Sequence, residues 1–284
     1  MPIDRRTVIG VTVPTQEFRW GEREVLSYRR AVGQRGEQTG VLPTFAMTAP
    51  VAFGVATPDF YHREPPEIRF PGIALRLSTL LHLEQELEVR APLPDAGFAS
   101  CRAEVVGVEE RRDAAVLVQR TSLTGADGQV LVSGLSRIHA RGEGVAGGAP
   151  SRSSAVPTPE REPDLDIRTP THPDQALRYQ GCVRGAALHD NVHTDAEFAR
   201  AAGFPGPILQ GVCTYGVVCT ALVDAVLDAD VSRVHRYTAR FRGIVFPGES
   251  LRTRIWSEGD GYLFDTSVPE RGDRSVLSGA LIPG

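Results

Sequence analysis

The stretch GVCTYGVVCTALVDAVL, residues 211–227, carries apolar side chains around nearly its whole circumference when wound as an α-helix. A helix without a polar face has to be buried on almost every side. The segments that can enclose it follow directly: YTARFRGIVF (237–246), LRTRIW (251–256), YLFDTSV (262–268) and SVLSGAL (275–281). Their partial period-two alternation is that of an antiparallel sheet with one wet face. A long sheet curled around one buried helix is therefore expected.

Working outward, the same parts occur twice. PLPDAGFASCRAEVVGVEERRDAAVLVQRTSLTGADGQVLVSGLSRI (92–138) is similar to FPGESLRTRIWSEGDGYLFDTSVPERGDRSVLSGALI (246–282). Both run turn, strand, turn, strand, turn, strand, with Asp-Gly or Gly-Asp turns that suit tight hairpins. They also end alike, in VLVSGLS and VLSGALI, so an internal duplication is expected. In the first copy LPTFAMTAPVAFGVA (42–56), interrupted by Pro50, stands where the central helix should be, and LLHLEQELEVR (80–90) begins the strands. Residues 142–173 are crowded with Gly, Pro and Ser and read as an extended linker. The expected organisation is a first half at 1–141, the linker at 142–173 and a second half at 174–284. With 284 residues in total, each half is large enough to bury a core.

Composition narrows the function. The 31 cationic residues, all arginine, stand against 35 acidic ones for a net charge of −4, which argues against nucleic acid or an anionic membrane as the main partner. No stretch approaches the ~20 apolar residues of a membrane span. The four cysteines, Cys101, Cys182, Cys213 and Cys219, show no CxxC spacing, and nothing at the N-terminus resembles a signal peptide. A reducing cytoplasm is the simplest compartment.

Just ahead of the helix lies HDNVHTDAEF, residues 189–198, with two histidines and three carboxylates. Thr194 and Glu197 have the spacing of a capping box that opens a short helix through Ala202, stopped by Gly203 and Pro205. His189 and His193 therefore sit in a loop. Without a Cys pair, an HExxH glutamate or a third ligand, a metal site is disfavoured, and no GxSxG elbow supports a serine nucleophile. What the residues support is general acid–base chemistry by a histidine and a nearby carboxylate. Pro207-Ile208-Leu209-Gln210-Gly211 then runs into the N-terminus of the apolar helix, where free N–H groups favour an anion such as an enolate oxygen. Gly211 would let a carbonyl approach; an equally direct reading is that it serves close helix packing.

HTDAEFARAAGFPGPILQGVCTYG (193–216) resembles the signature of the MaoC-like, R-specific (type two) enoyl-CoA hydratases, whose pattern runs roughly D-x-N-P-x-H-x-D, F-A, G-F, P-I-L-H-G, C-T. LPTFA (42–46), LLHLEQELEVRAPLPDAG (80–97) and ARFRGIVFPGESLRTRIW (239–256) extend the likeness over most of the chain. The resemblance implies an α+β double hotdog fold, two antiparallel sheets each wrapped around a long central helix. It implies a hydro-lyase acting on an acyl-CoA or acyl-carrier-protein thioester, with no cofactor and with a homodimer as the assembly to look for. His193 matches the catalytic histidine, and Gly211 matches the glycine whose N–H binds the thioester oxygen. The family's catalytic aspartate falls on Leu188, so Asp190 is the expected replacement. Gln210 stands where the family commonly has histidine, and Tyr179 matches a family tyrosine. With Phe204 and Met47 these form the expected substrate-binding set, the small and apolar residues Ala46, Met47, Ala49, Val51 and Ala52 of the first half serving as the acyl wall. An alternative is a same-fold enzyme with isomerase, cyclase or other elimination chemistry, or a non-catalytic acyl-thioester binder.

Overall fold

The structure, a computed structural model, describes residues 3–34, 36, 38–50, 67–70, 73–76, 80–111, 114–146, 149–150, 158–183 and 191–284. The helices that concern the site are α1 (Glu22–Ala31), α2 (Gln175–Gln180), α3 (Ala196–Ala201) and α4 (Gly211–Val226). The main strands are β1 (Thr12–Trp20), β2 (Leu80–Val89), β3 (Gly97–Arg111), β4 (Ala114–Gly125) and β5 (Val130–Arg141). They are followed by β6 (Leu165–Pro170), β7 (Val234–Phe241), β8 (Ser250–Glu258), β9 (Gly261–Val268) and β10 (Arg274–Pro283).

Helix α4 is enclosed as its composition requires, since every residue from Val212 through Val223 is buried. Its polar atoms are matched inside. The Tyr215 hydroxyl donates to the Tyr237 carbonyl (2.8 Å), the Tyr237 hydroxyl donates back to the Tyr215 carbonyl (3.1 Å), and the two rings stack at 4.3 Å. This reciprocal pair fixes the helix to β7 without leaving a buried hydroxyl unsatisfied.

The sheet order is β1-β3-β4-β5-β2-β7-β10-β9-β8-β6, with the two residues Ala149–Pro150 added in parallel along β3 to make eleven strands. Read inward from either edge, the two halves present their strands in the same order. The repeats at 92–138 and 246–282 fall on β3–β5 and β8–β10, which are equivalent places. The expected double hotdog is present, and its two sheets are continuous. Strand β2 pairs antiparallel with β7 from Glu88 opposite Arg236 to Glu84 opposite Arg240. Each would otherwise be an edge strand with unpaired backbone groups, and pairing removes both edges. Arg236 reaches Glu88 at 3.6 Å and Arg240 reaches Glu84 at 3.9 Å across this seam.

Two expectations are refined. Among the described residues, the first half's central element is no long helix but a six-residue 3-10 helix, Pro43–Thr48, all of it buried. Ala49 ends it with an extended backbone (φ −64°, ψ 150°), as a residue preceding proline must. Residues 51–56 of that segment, with Val51 and Ala52, lie outside the described residues. Within the expected linker, Leu165–Pro170 is strand β6, pairing antiparallel with β8. Its one proline is terminal and on an edge strand, where a missing N–H is tolerated. No helix among the described residues is long and apolar enough to cross a membrane.

Helix α1 of the first half crosses α4 at Gly216. A Cβ there would lie 2.7 Å from both the Tyr28 hydroxyl oxygen and Val32 Cγ1. Gly216→Val should therefore overpack this crossing and cost about 1–3 kcal/mol in chemical denaturation. An unchanged midpoint would mean that α1 does not bear on α4 in solution.

Candidate active site

The loop that leads into α3 is built by Asn191, which is buried. Its Oδ1 accepts the N–H groups of His193 (2.9 Å) and Thr194 (3.1 Å), and its Nδ2 donates to the Thr194 hydroxyl (2.9 Å). This is an Asx-type turn, in which a side-chain amide stands in for backbone. It fixes the backbone at His193. The N-cap of α3 is Asp195, not the expected Thr194: Asp195 Oδ1 accepts from the N–H groups of Glu197 and Phe198, both at 3.0 Å. Thr194 is drawn away by Asn191, and the stronger carboxylate acceptor one residue later takes the cap. The helix ends at Ala201, and Gly203 follows at φ +90°.

A second clasp joins this loop to the segment entering α4. The Ile208 N–H donates to the Val192 carbonyl (3.0 Å), and His193 Nδ1 lies 2.9 Å from the Ile208 carbonyl. A carbonyl can only accept, so Nδ1 carries the proton and the lone pair of the neutral ring is on Nε2. Burial pushes His193 down to about 4, against a smaller upward pull from the Ile208 carbonyl. The next residue, Leu209, donates to the Val245 carbonyl (2.7 Å), which holds the approach to α4 against the loop after β7.

Gly211 is the first residue of α4 and is exposed, unlike the twelve residues from Val212 to Val223. Among the described residues no acceptor pairs with its N–H. A Cβ at this position would meet the Phe241 ring at 3.2 Å. The glycine permits close packing against Phe241, and it also presents a backbone N–H at the positive end of a long helix.

The other expected site residues are placed differently. Gln210 is buried and turned toward α2, donating from Nε2 to the Ala176 carbonyl (3.0 Å) and to Gln180 Oε1 (3.3 Å). It anchors the start of α4 to α2. Tyr179 is fully buried in the core, edge to face with Tyr28 at 6.1 Å. Phe204 is half-buried just past α3, its N–H bonded to the Ala199 carbonyl (2.9 Å). Met47 is fully buried in the Pro43–Thr48 element, which contacts α4. Leu188, His189 and Asp190 lie outside the described residues. Among the described residues no group of three His, Cys, Asp or Glu side chains converges as for a metal ion. A separate cleft of about 160 Å³ lies beyond the other end of α4, between Val41 and Val231, and holds none of these residues.

Sequence reasoning missed Asn191 and His82. The signal for Asn191 was available in the N-V-H-T spacing, which suits an Asx turn. The His82 ring of β2 lies tilted against Phe241 at 4.8 Å between ring centroids, and Phe241 in turn packs on Gly211.

Comparison with known proteins agrees with this geometry. A family model described as a MaoC like domain matches residues 154–277, and one described as the MFE-2 hydratase 2 N-terminal domain matches residues 18–142. The chain is 38% identical to the enoyl-CoA hydratase ChsH3 of Mycobacterium tuberculosis, over 100% of both chains. The chain belongs to the MaoC-like hydratase/dehydratase family. It is also 34% identical to the 3-hydroxyacyl-thioester dehydratase Y of the same organism, covering 94% of this chain and 92% of that one. The crystal structure of a MaoC-like dehydratase from Phytophthora capsici superposes with a TM-score of 0.84 at 25% identity, covering 97% and 95% of the two chains. The MaoC-like match contains the Asn191–His193 loop and α4, and the N-terminal match contains β2 with His82.

Two outcomes follow from the loop. Asp195→Ala should lower stability by about 1 kcal/mol as a lost cap, and Thr194→Ala by less, which denaturation of the two variants would rank. The second concerns acid. An unfolded histidine takes its proton near 6.5, whereas folded His193 does so only near 4, so below 6.5 the unfolded chain binds more protons. The stability His193 contributes is complete above 6.5 and is lost as the pH falls through about 4. Thermal melts of wild type and His193→Gln across that window should show a shallower fall in the variant; parallel slopes would contradict the burial of the ring.

Proposed function

We propose that this protein adds water across the 2,3-double bond of an enoyl thioester, or removes it from the 3-hydroxyacyl thioester, with coenzyme A or a carrier protein bearing the acyl group. The observation that supports this best is the clasp between His193 and Ile208. It holds an imidazole with its lone pair on Nε2 beside the segment that ends, three residues on, at the exposed N–H of Gly211. A base and an anion site are thereby joined through one short piece of backbone.

In the hydration direction, His193 Nε2 takes a proton from water as the oxygen bonds to C3. Electron density moves to the thioester oxygen, where the Gly211 N–H and the α4 dipole receive the enolate charge. The proton reaches C2 by way of His193 and Asp190, the carboxylate that replaces the family's aspartate at Leu188. Water is thus divided into C3–OH and C2–H, and nothing is oxidised or reduced. The first half holds the acyl chain against small and apolar residues such as Ala46 and Met47. The four cysteines are all free thiols, which supports a reducing compartment, the cytoplasm being the simplest.

The test is hydration of a crotonyl thioester, followed as loss of enoyl absorbance. His193→Ala and Asp190→Asn should each reduce turnover by roughly 10²–10⁴-fold, the usual contribution of a positioned acid or base. If only His193→Ala matters, the acid is not Asp190. If wild type shows no hydration and neither substitution changes any thioester reaction, the reading fails.

A further inference from the structure

His82 comes from the first half of the chain, which was expected to supply the acyl wall. It sits at an irregularity of β2: His82 pairs with Ile138 and Glu84 with Arg137, so Leu83 is an extra residue between them. A bulge of this kind redirects the neighbouring side chain. Ile138 belongs to a second buried cluster, formed by first-half residues and separate from the one around α4, and residues opposite one another on an antiparallel pair share a face, so His82 lies on a buried face of the sheet. There its ring lies 4.8 Å from the Phe241 ring, tilted by 47°. Phe241 is the ring that meets Gly211, so His82 stands one aromatic ring away from the N-terminus of α4.

The imidazole is half-buried overall, yet its Nε2 is sealed from solvent and, among the described residues, has no hydrogen-bond partner. It is one of several buried side-chain atoms without a partner among the described residues, and each such atom calls for an explanation. Burial pushes His82 down to about 4, against a smaller upward pull from the Glu84 backbone and the Gln85 side chain, so at neutral pH the ring is uncharged and suits a neutral partner rather than an anion. A hydroxyl is such a partner with either ring tautomer, because it can both donate and accept.

From these contacts we infer that His82 is a specificity-determining residue of the acyl site: its Nε2 hydrogen-bonds a hydroxyl carried on the tail of the acyl chain, and the protein selects hydroxylated acyl thioesters over plain alkyl ones. This rests on the thioester reading proposed above. The carbonyl end of the substrate lies at Gly211, the chain passes the Phe241 ring, and the hydroxyl meets the imidazole behind it. A group built to complete a buried hydrogen bond discriminates against an analogue that lacks it, because that analogue leaves the nitrogen unsatisfied.

The experiment compares enoyl thioesters of one chain length, plain or with a hydroxyl moved carbon by carbon along the tail, on wild type, His82→Leu and His82→Gln. One member of the hydroxylated series should exceed the alkyl substrate in kcat/KM by roughly 10- to 100-fold in wild type. His82→Leu should remove that preference by losing the hydroxylated substrate alone, and His82→Gln should keep part of it. Calorimetric binding of the saturated thioesters makes the same comparison without turnover. A structural role for His82 would slow or weaken all substrates equally, and that result, or a wild type with no preference in the series, overturns the inference. Turnover of the alkyl thioester reports on the reaction itself, so its absence counts against the proposed function, whereas a flat preference with turnover intact counts against His82 only.

Discussion

The constraint on which this fold depends is the all-round burial of α4. Sixteen residues of helix with no polar face cannot be covered by one face of a five-stranded sheet alone. The missing cover comes from the other half of the chain: α1 crosses at Gly216, the Pro43–Thr48 element lies alongside, and the continuous sheet curves behind. Fully burying each Val, Leu or Tyr of such a helix contributes roughly 1.5–3 kcal/mol. The two halves are thus held together by the same residues that hold the second half around its helix. The β2–β7 seam adds backbone pairing to this, and the Arg236–Glu88 contact, whose arginine is exposed, adds little.

The site follows from that burial. Along the buried stretch Val212–Val223 the helix offers a ligand nothing, and its unpaired N–H groups come to the surface at Gly211, the anion site proposed above. The segment before it must be rigid for the N–H to be aimed. Three anchors make it so: Gln210 to α2, Leu209 to Val245, and Ile208 to the His193 loop. The last of these also sets the tautomer of His193. In the proposed reaction, positioning of the base and positioning of the anion site are one structural problem, solved by hydrogen bonds from consecutive residues.

Much of this was legible in the sequence. The apolar circumference of residues 211–227 required a buried helix, and the repeated turn-strand order required equivalent halves, because both are local patterns that any tertiary context must respect. The cap was misplaced by one residue because Thr194 and Asp195 are both good N-caps; only the Asn191 side chain, by occupying the Thr194 hydroxyl, decides between them. Gln210 and Tyr179 took site roles from their place in the family pattern; in the fold Gln210 bonds to α2 and Tyr179, on α2, packs against Tyr28 of α1, directions that spacing along the chain does not encode. His82 was beyond reach for a different reason. It lies far upstream on a strand of the other half, and only the β2–β7 pairing brings it to Phe241.

That pairing gives the duplication a chemical consequence. In a symmetric pair of hotdog halves each helix N-terminus would face a loop with its own histidine, and the seam would join two equivalent sites. Here the described residues of the first half hold a short 3-10 turn and no long helix, so among them the proposed anion site at Gly211 has no counterpart. The seam strand of that half still runs past the site on a buried face. A side chain there is close enough to touch a substrate and too far from the thioester carbonyl to join in proton transfer, which is the position of His82. Duplication with one such site therefore frees a strand to act on what the acyl chain is, while the loop and helix of the other half act on what happens to it.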